Sequence, residues 1–405
     1  MTTCRSHRVI RWSAVATVLV LSLVGAWAPR ADSQEATASP ESIGTWRQVS
    51  AGSAHTCGIR PTGHLYCWGY DAFSQLGDGG PDEDKSTPVE VFGGGANWAS
   101  VSAGGGHTCA VKTTGRLYCW GEDSRGQVGD GAPGVNQAIP RLVAGGITDW
   151  AVVDATGLGT CAIRTNGRLY CWGNDDGGRL GDGGMDVDQP APVPVASSAR
   201  DWVSVASAID HTCARRATGR LFCWGSDQFG QLGTSGPNQA QAMPVQVAGA
   251  FTDWRSVDAG DFSTCATRAD GVLYCWGNDY RGKLGNGGAD IDRPTPTRVA
   301  GERSARWETV SVAAYHACAT RTTGRLYCWG EELNGELGDG TMIAVRRSPV
   351  LVAGGGTNWE VSSVGHKHTC ALRTTGRAFC WGADGKGQLG NGGPNADRAT
   401  PGILA

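Results

Sequence analysis

Cysteine, histidine and aspartate are the residues of this chain whose types and spacing could do chemistry. Of 15 cysteines, fourteen stand in seven C-x9-C pairs: Cys57 and Cys67, Cys109 and Cys119, Cys161 and Cys171, Cys213 and Cys223, Cys265 and Cys275, Cys318 and Cys328, and Cys370 and Cys380. Paired thiols can form a disulfide, hold zinc or supply a nucleophile. Zinc typically needs closer ligands and four of them on one ion. Two Cys placed symmetrically about a tight turn instead face each other on neighbouring strands, within disulfide reach. The pairs therefore predict seven disulfides and no metal. Histidine recurs before the first Cys at His55, His107, His211, His316 and His368, while Gly159 and Ser263 take its place in two units. A histidine shared by most units reads as a structural hydrogen-bonding group. Asp71, Asp123, Asp175, Asp227, Asp279 and Asp384 follow W-G-x and should hold their own turns through side-chain to backbone bonds.

A second acidic pattern, D/N-G-G-x-D/N-x-D, occurs at Asp78, Asp82 and Asp84, at Asp182, Asp186 and Asp188, at Asn286, Asp290 and Asp292, and at Asn391, Asn395 and Asp397. Oxygen ligands at alternate positions suit calcium, and such loops also cap themselves. Both readings remain open at this level. No nucleophile elbow, phosphate-binding loop or unique carboxylate pair is present, so the sequence predicts no catalytic residue, no enzyme activity and no cofactor.

These residues recur because the chain repeats. Cys-Trp-Gly begins at Cys67, Cys119, Cys171, Cys223, Cys275, Cys328 and Cys380, at spacings of 52, 52, 52, 52, 53 and 52. Each unit also has a Trp eleven positions before its first Cys and a Pro 21 positions after its CWG. HTCAVK, a T-T-G-R turn and LYCWG read as a hairpin. The W-x-x-V and P-x-x-V stretches add two short strands, and no stretch has a sustained helical period. Four antiparallel strands per unit of about fifty residues describe a propeller blade. The expectation is an all-β fold, a seven-bladed β-propeller of four-stranded antiparallel blades, over 45–405. An open solenoid is the alternative. The chain enters on the strand at Trp46 and leaves on a Pro strand, so closure is expected by the C-terminal strand, Pro401 to Leu404, joining the N-terminal blade beside Trp46 to Ser50.

Before the repeats, Arg5, Arg8 and Arg11 precede an uncharged apolar run from Ala14 to Ala28. That order predicts a secretory signal peptide over 1–31, with Cys4 removed along with it, and a flexible leader over 32–44. The run is too short to span a bilayer, and no longer one follows. Hydrophobic residues are 40% and charged residues 18%, which excludes a disordered chain. The net charge of −3 excludes a nucleic-acid binder built on bulk positive charge.

The unit resembles the RCC1 (regulator of chromosome condensation) repeat. The resemblance is carried by V-S-A-G-G-G-H-T at 101–108, T-G-R-L-Y at 114–118, W-G-E-D at 120–123 and G-Q-V-G-D-G at 126–131, with equivalents in the other six units. It implies a seven-bladed propeller. The family includes nuclear guanine-nucleotide exchange factors and secreted bacterial binding or inhibitory proteins. The export signal and Cys pairs set this chain apart from the nuclear members.

Between W-G-x-D/E and the next Gly lie two positions that differ in every unit. Among them Phe73, Arg125, Phe229, Tyr280 and Arg281 are residue types that anchor interfaces. A rigid frame presenting differing loops makes a recognition surface; free drift of unconstrained positions is the other reading. The sequence therefore predicts a secreted, monomeric binding module for a protein or cell-surface ligand, with no nucleic acid and no membrane span. The alternatives are a guanine-nucleotide exchange regulator, from the resemblance, and an extracellular hydrolase or lyase.

Overall fold

Each unit folds into four strands because its burial pattern changes along the chain. In the second unit the strands are Trp98–Ala103, His107–Lys112, Leu117–Gly121 and Gln137–Leu142. The middle two are almost wholly buried, which suits their small and apolar residues, whereas the fourth is half exposed. The computed structural model describes residues 44–302, 304–342 and 345–405. The expected signal peptide, and the leader up to residue 43, lie outside them. Seven four-stranded antiparallel sheets, each in chain order, form the blades of an all-β propeller. Two short 3-10 turns, Asp176–Gly178 and Tyr280–Gly282, are the helical elements among the described residues.

First strands of neighbouring blades line a central cavity of about 150 Å³. Fourth strands are the outer edges, and each carries a proline such as Pro88, Pro140 or Pro244. Proline cannot donate to a further strand, so the rim resists edge-to-edge pairing. With strands alternating in direction, loops joining first to second and third to fourth strands share one end, here the upper face. Hairpin turns and blade-to-blade crossovers share the lower face.

The cysteines of every pair are directly opposed in the ladder, as Cys57 is to Cys67, with Cα atoms 4.0–4.1 Å apart in all seven disulfides. Closing so short a loop removes roughly 3 kcal/mol of unfolded-state entropy per bridge in the loop-closure model. The core consists of wedges between blades. Cys57, Leu65 and Leu76 of the first blade pack with Trp98, Val101 and Trp120 of the second. The Trp120 indole donates to the Gln75 carbonyl of the preceding blade at 3.0 Å. Gly77 lies against this ring with φ +67°, and a Cβ there would stand 2.3 Å from Trp120 Nε1. This approach explains the last glycine of G-x-L-G.

The expected strand exchange between the chain ends does not occur. Arg398–Ile403 pairs with Ala378–Gly382 of its own blade, through Phe379 opposite Ile403. In the first blade the fourth place is filled by Lys85–Glu90, with Tyr66 opposite Glu90. Each Pro strand thus belongs to the unit it follows, every unit is complete, and no vacancy exists for the last strand. The ring closes by repeating the contacts of every other seam. Trp46 N–H donates to the Gly376 carbonyl at 2.7 Å, as Trp98 does to Gly63 at 3.1 Å. Leu389 and Leu404 pack against Trp46 and Trp68.

Candidate binding face

The upper loops after the third strand are held from within. Asp71 accepts the Leu76 N–H at 2.9 Å, and Asp123, Asp175, Asp227, Asp279 and Asp384 do the same in their blades. Gln75 accepts the Phe73 N–H at 2.9 Å, as Gln127 does for Arg125 and Gln231 for Phe229. The backbone of the two varying positions is therefore fixed while their side chains are left to vary.

The D/N-x-D carboxylates also serve their own backbone. Asp84, Asp188 and Asp292 accept N–H groups of Asp71, Asp175 and Asp279, and Asp78 accepts that of Gly80. Among the described residues no three His, Cys, Asp or Glu side chains converge to hold a metal.

The five singled-out residues do not form one patch. Phe73 packs edge-on against Tyr70, and Arg125 reaches across the seam to Asp188 at 3.1 Å. Lys386 makes the equivalent bridge to Asp84 at 3.2 Å across the closing seam. Some of the variation thus serves blade-to-blade contact. Phe229, Tyr280 and Arg281 lie in blades four and five. The Phe229 ring meets Phe262 at 5.3 Å, and Arg281 donates to the Tyr280 hydroxyl at 3.1 Å. Tyr280 and Leu333 are each 53% exposed and Phe262 is 38% exposed. Sequence reasoning passed over Phe262. Its position, just before the histidine site, varies as freely as the tallied ones, reading Ala54, Gly106, Leu158, Asp210, Phe262, Tyr315 and Lys367.

Beside this sector, polar groups crowd the upper mouth of the cavity. Lys283 is buried and donates to the Asp261 carbonyl at 2.5 Å, with the Phe262 ring 5.8 Å from its ammonium. Burial lowers its pKa to about 8, against the pull of Asp261. His366 of blade seven lies 3.8 Å from the Asp261 carboxylate. Burial pushes that carboxyl up, while His366 and Lys283 oppose the shift. Deeper in, burial raises Asp154 to about 7 and Asp258 to about 6. Their carboxylates accept the N–H groups of Ser207 and Val312 in the following blades. Ser50, Ser102, Ser311 and Ser363 do the same elsewhere, so these acids are part of the seam bonding. The five described histidines of the repeat bond to threonines of the next blade and do not face a common cleft.

A model of the RCC1-like domain matches residues 100–405, and models of the RCC1 repeat match 62–111 and 46–75. The chain is 29% identical over 378 residues to the ultraviolet-B receptor UVR8 of Arabidopsis thaliana, covering 91% of this chain and 83% of that protein. It is 27% identical over 362 residues to the human E3 ubiquitin-protein ligase HERC2 (Homo sapiens), covering 87% of this chain but spanning only 7% of HERC2. Among solved structures, Prp20p from Saccharomyces cerevisiae superposes with TM-score 0.72 at 20% identity, over 89% of this chain and 87% of Prp20p. Human WBSCR16 superposes with TM-score 0.74 at 17% identity, over 84% and 94%.

Proposed function

The chain belongs to the RCC1 family of repeat propellers, and we propose that it is an exported, monomeric binding module whose upper loops hold a protein partner. One observation carries this reading. Phe262, Tyr280 and Leu333 stay exposed, with Phe229 half-buried beside them, on a frame whose loop backbone is internally bonded. Exposed aromatic and apolar side chains on a rigid scaffold, with an arginine among them, are the composition of an interface anchor. A disulfide in every blade is consistent with an oxidising compartment, in agreement with the expected signal peptide. Prp20p, similar in fold, was described together with its binding properties to Gsp1p and histones; a protein ligand on a propeller face is the feature carried over, not those partners.

The test uses the oxidised protein as bait beside a Phe229→Ala, Tyr280→Ala, Arg281→Ala variant, with the captured partner identified and titrated against both. Losing anchors of this kind weakens binding by about 30-fold or more. Equal binding by both proteins overturns the assignment of this sector. A parallel Phe73→Ala, Arg125→Ala variant should bind as the unaltered protein does.

A further inference from the structure

The net charge of −3 conceals two faces of opposite sign. Among the described residues the lower loops, hairpin turns and crossovers together, carry eight Lys or Arg against five Asp or Glu, and six more cations end the second strands that lead into the hairpin turns. Upper loops carry six against twenty-four. The lower charge is not spread evenly. In blades three, four and five the first cation of the hairpin turn is neutralised by the Asp before the blade's Trp: Arg164 by Asp149, Arg216 by Asp201 and Arg268 by Asp253, at 2.7–2.9 Å. In blades six, seven, one and two that place holds Arg306, Asn358, Thr45 and Asn97, none of them acidic. The turn cation there lies over aromatic rings instead, as Arg373 does over Trp359 at 4.6 Å and Lys112 over Trp98 at 4.6 Å. Stacking on a ring leaves the positive charges of Lys112 and Arg373 in place. At the turn tips Arg116, Arg325 and Arg377 are exposed and make no ion pair among the described residues.

We infer that the lower face, across blades six, seven, one and two, docks the propeller onto a flat anionic lipid surface with its upper face turned outward. The turns occupy equivalent places in a closed ring, so their tips form an annulus that meets a plane at several points at once. Each Arg near an anionic bilayer adds about 1 kcal/mol of attraction, and the acidic upper loops are repelled, so the charge polarity fixes the orientation. The inference is independent of which protein the upper sector holds.

Co-sedimentation of the oxidised protein with phosphatidylglycerol–phosphatidylcholine vesicles tests it, beside pure phosphatidylcholine vesicles. In low salt the protein should pellet with the first and not the second, and high salt should release it. An Arg116→Gln, Arg325→Gln, Arg377→Gln variant should lose on the order of 100-fold in partitioning. Arg220→Gln, in blade four, should lose less than the average single change in that set. These exposed substitutions leave the core intact, which circular dichroism would verify. Absence of binding to the anionic vesicles, or equal binding by the triple variant, overturns the inference. Retention on heparin without vesicle binding also overturns it and assigns the face to a soluble polyanion.

Discussion

The imidazole Nε2 of His368 and the hydroxyl of Thr56 lie 2.9 Å apart across the closing seam, although 312 residues separate them in the chain. Thr56 spends its single O–H on the Gln388 carbonyl at 2.9 Å, so Nε2 carries the proton and donates. Four other seams repeat the pair: His55 with Thr108, His107 with Thr160, His211 with Thr264 and His316 with Thr369. Where blade five has Ser263, blade six has Ala317, so both partners are lost together. Blade three has Gly159, and Thr212 keeps its bond to the Arg179 carbonyl. The closing seam therefore carries the same His–Thr bond as four of the six internal ones.

Breaking both halves of this pair should cost less than the sum of breaking each alone. Thr56→Ala leaves a buried N–H of His368 without an acceptor, at about 1–3 kcal/mol. The Gln388 carbonyl keeps the Trp68 indole as donor. Adding His368→Ser reproduces the Ser263–Ala317 combination found in the protein itself. The double variant should be less destabilised than the sum of the singles by about 1 kcal/mol. Denaturant unfolding with the disulfides intact measures it, and strict additivity would remove the pair from the account of ring closure.

The same histidines make stability depend on pH. At His55, His107, His316 and His368, Nδ1 is buried and has no hydrogen-bond partner among the described residues. Protonation would strand a second N–H there, and burial lowers all four pKa values from 6.5 to about 3. Below pH 6.5 the unfolded chain takes up protons that the folded chain refuses, so this contribution falls as pH falls. Buried carboxyls such as Glu332, raised by burial to about 8, act in the opposite direction and cancel in a comparison of variants. The stability cost of His107→Asn should therefore shrink by about 1.4 kcal/mol per pH unit below 6.5. A cost independent of pH would mean that His107 is not held neutral.

The blades, the strand roles and the disulfides were legible because the period of about fifty residues carries them all at fixed offsets. Strand ownership was not. A cyclic repeat can be cut at any point, and only the register of Glu90 on Tyr66 assigns the Pro strand to the unit before it. The varying rim positions were legible as a set, but their division was not, because Arg125 turns to Asp188 and Phe229 to Phe262 through contacts between blades. The charge polarity escaped because net charge averages faces, and faces exist only once the strand directions are known.

Closure by packing locates the weak point of the seam at a single side chain. Leu404 is 3% exposed and packs with Trp46, Trp68 and Leu389, while its neighbour Ile403 is 54% exposed. Leu404→Ala should destabilise the ring by about 2–5 kcal/mol. Ile403→Ala, one residue away at the end of the edge strand, should stay within about 0.5 kcal/mol. Thermal or denaturant unfolding separates the two. Equal effects would mean that the last strand acts as a unit and that its pairing, not the seam contact, supports the ring.

Lys283 occupies the place that Gln75, Gln127, Gln231 and Gln388 hold in other blades, and it is 2% exposed. Burial lowers its pKa from 10.5 to about 8, so at pH 7 the fold carries a buried ammonium whose hydration the unfolded chain would restore. The folded state loses this proton more easily than the unfolded one, so its stability rises with pH between about 8 and 10.5. A Lys283→Gln variant restores the residue found in four other blades and removes the buried charge. It should be more stable than the unaltered protein at pH 7 by about 2–3 kcal/mol. That advantage should close as the pH is raised through the same window, in denaturant titrations at successive pH values. A destabilised variant at pH 7 would show instead that the ammonium's bond to the Asp261 carbonyl and its attraction to the Asp261 carboxylate outweigh the cost of burying it.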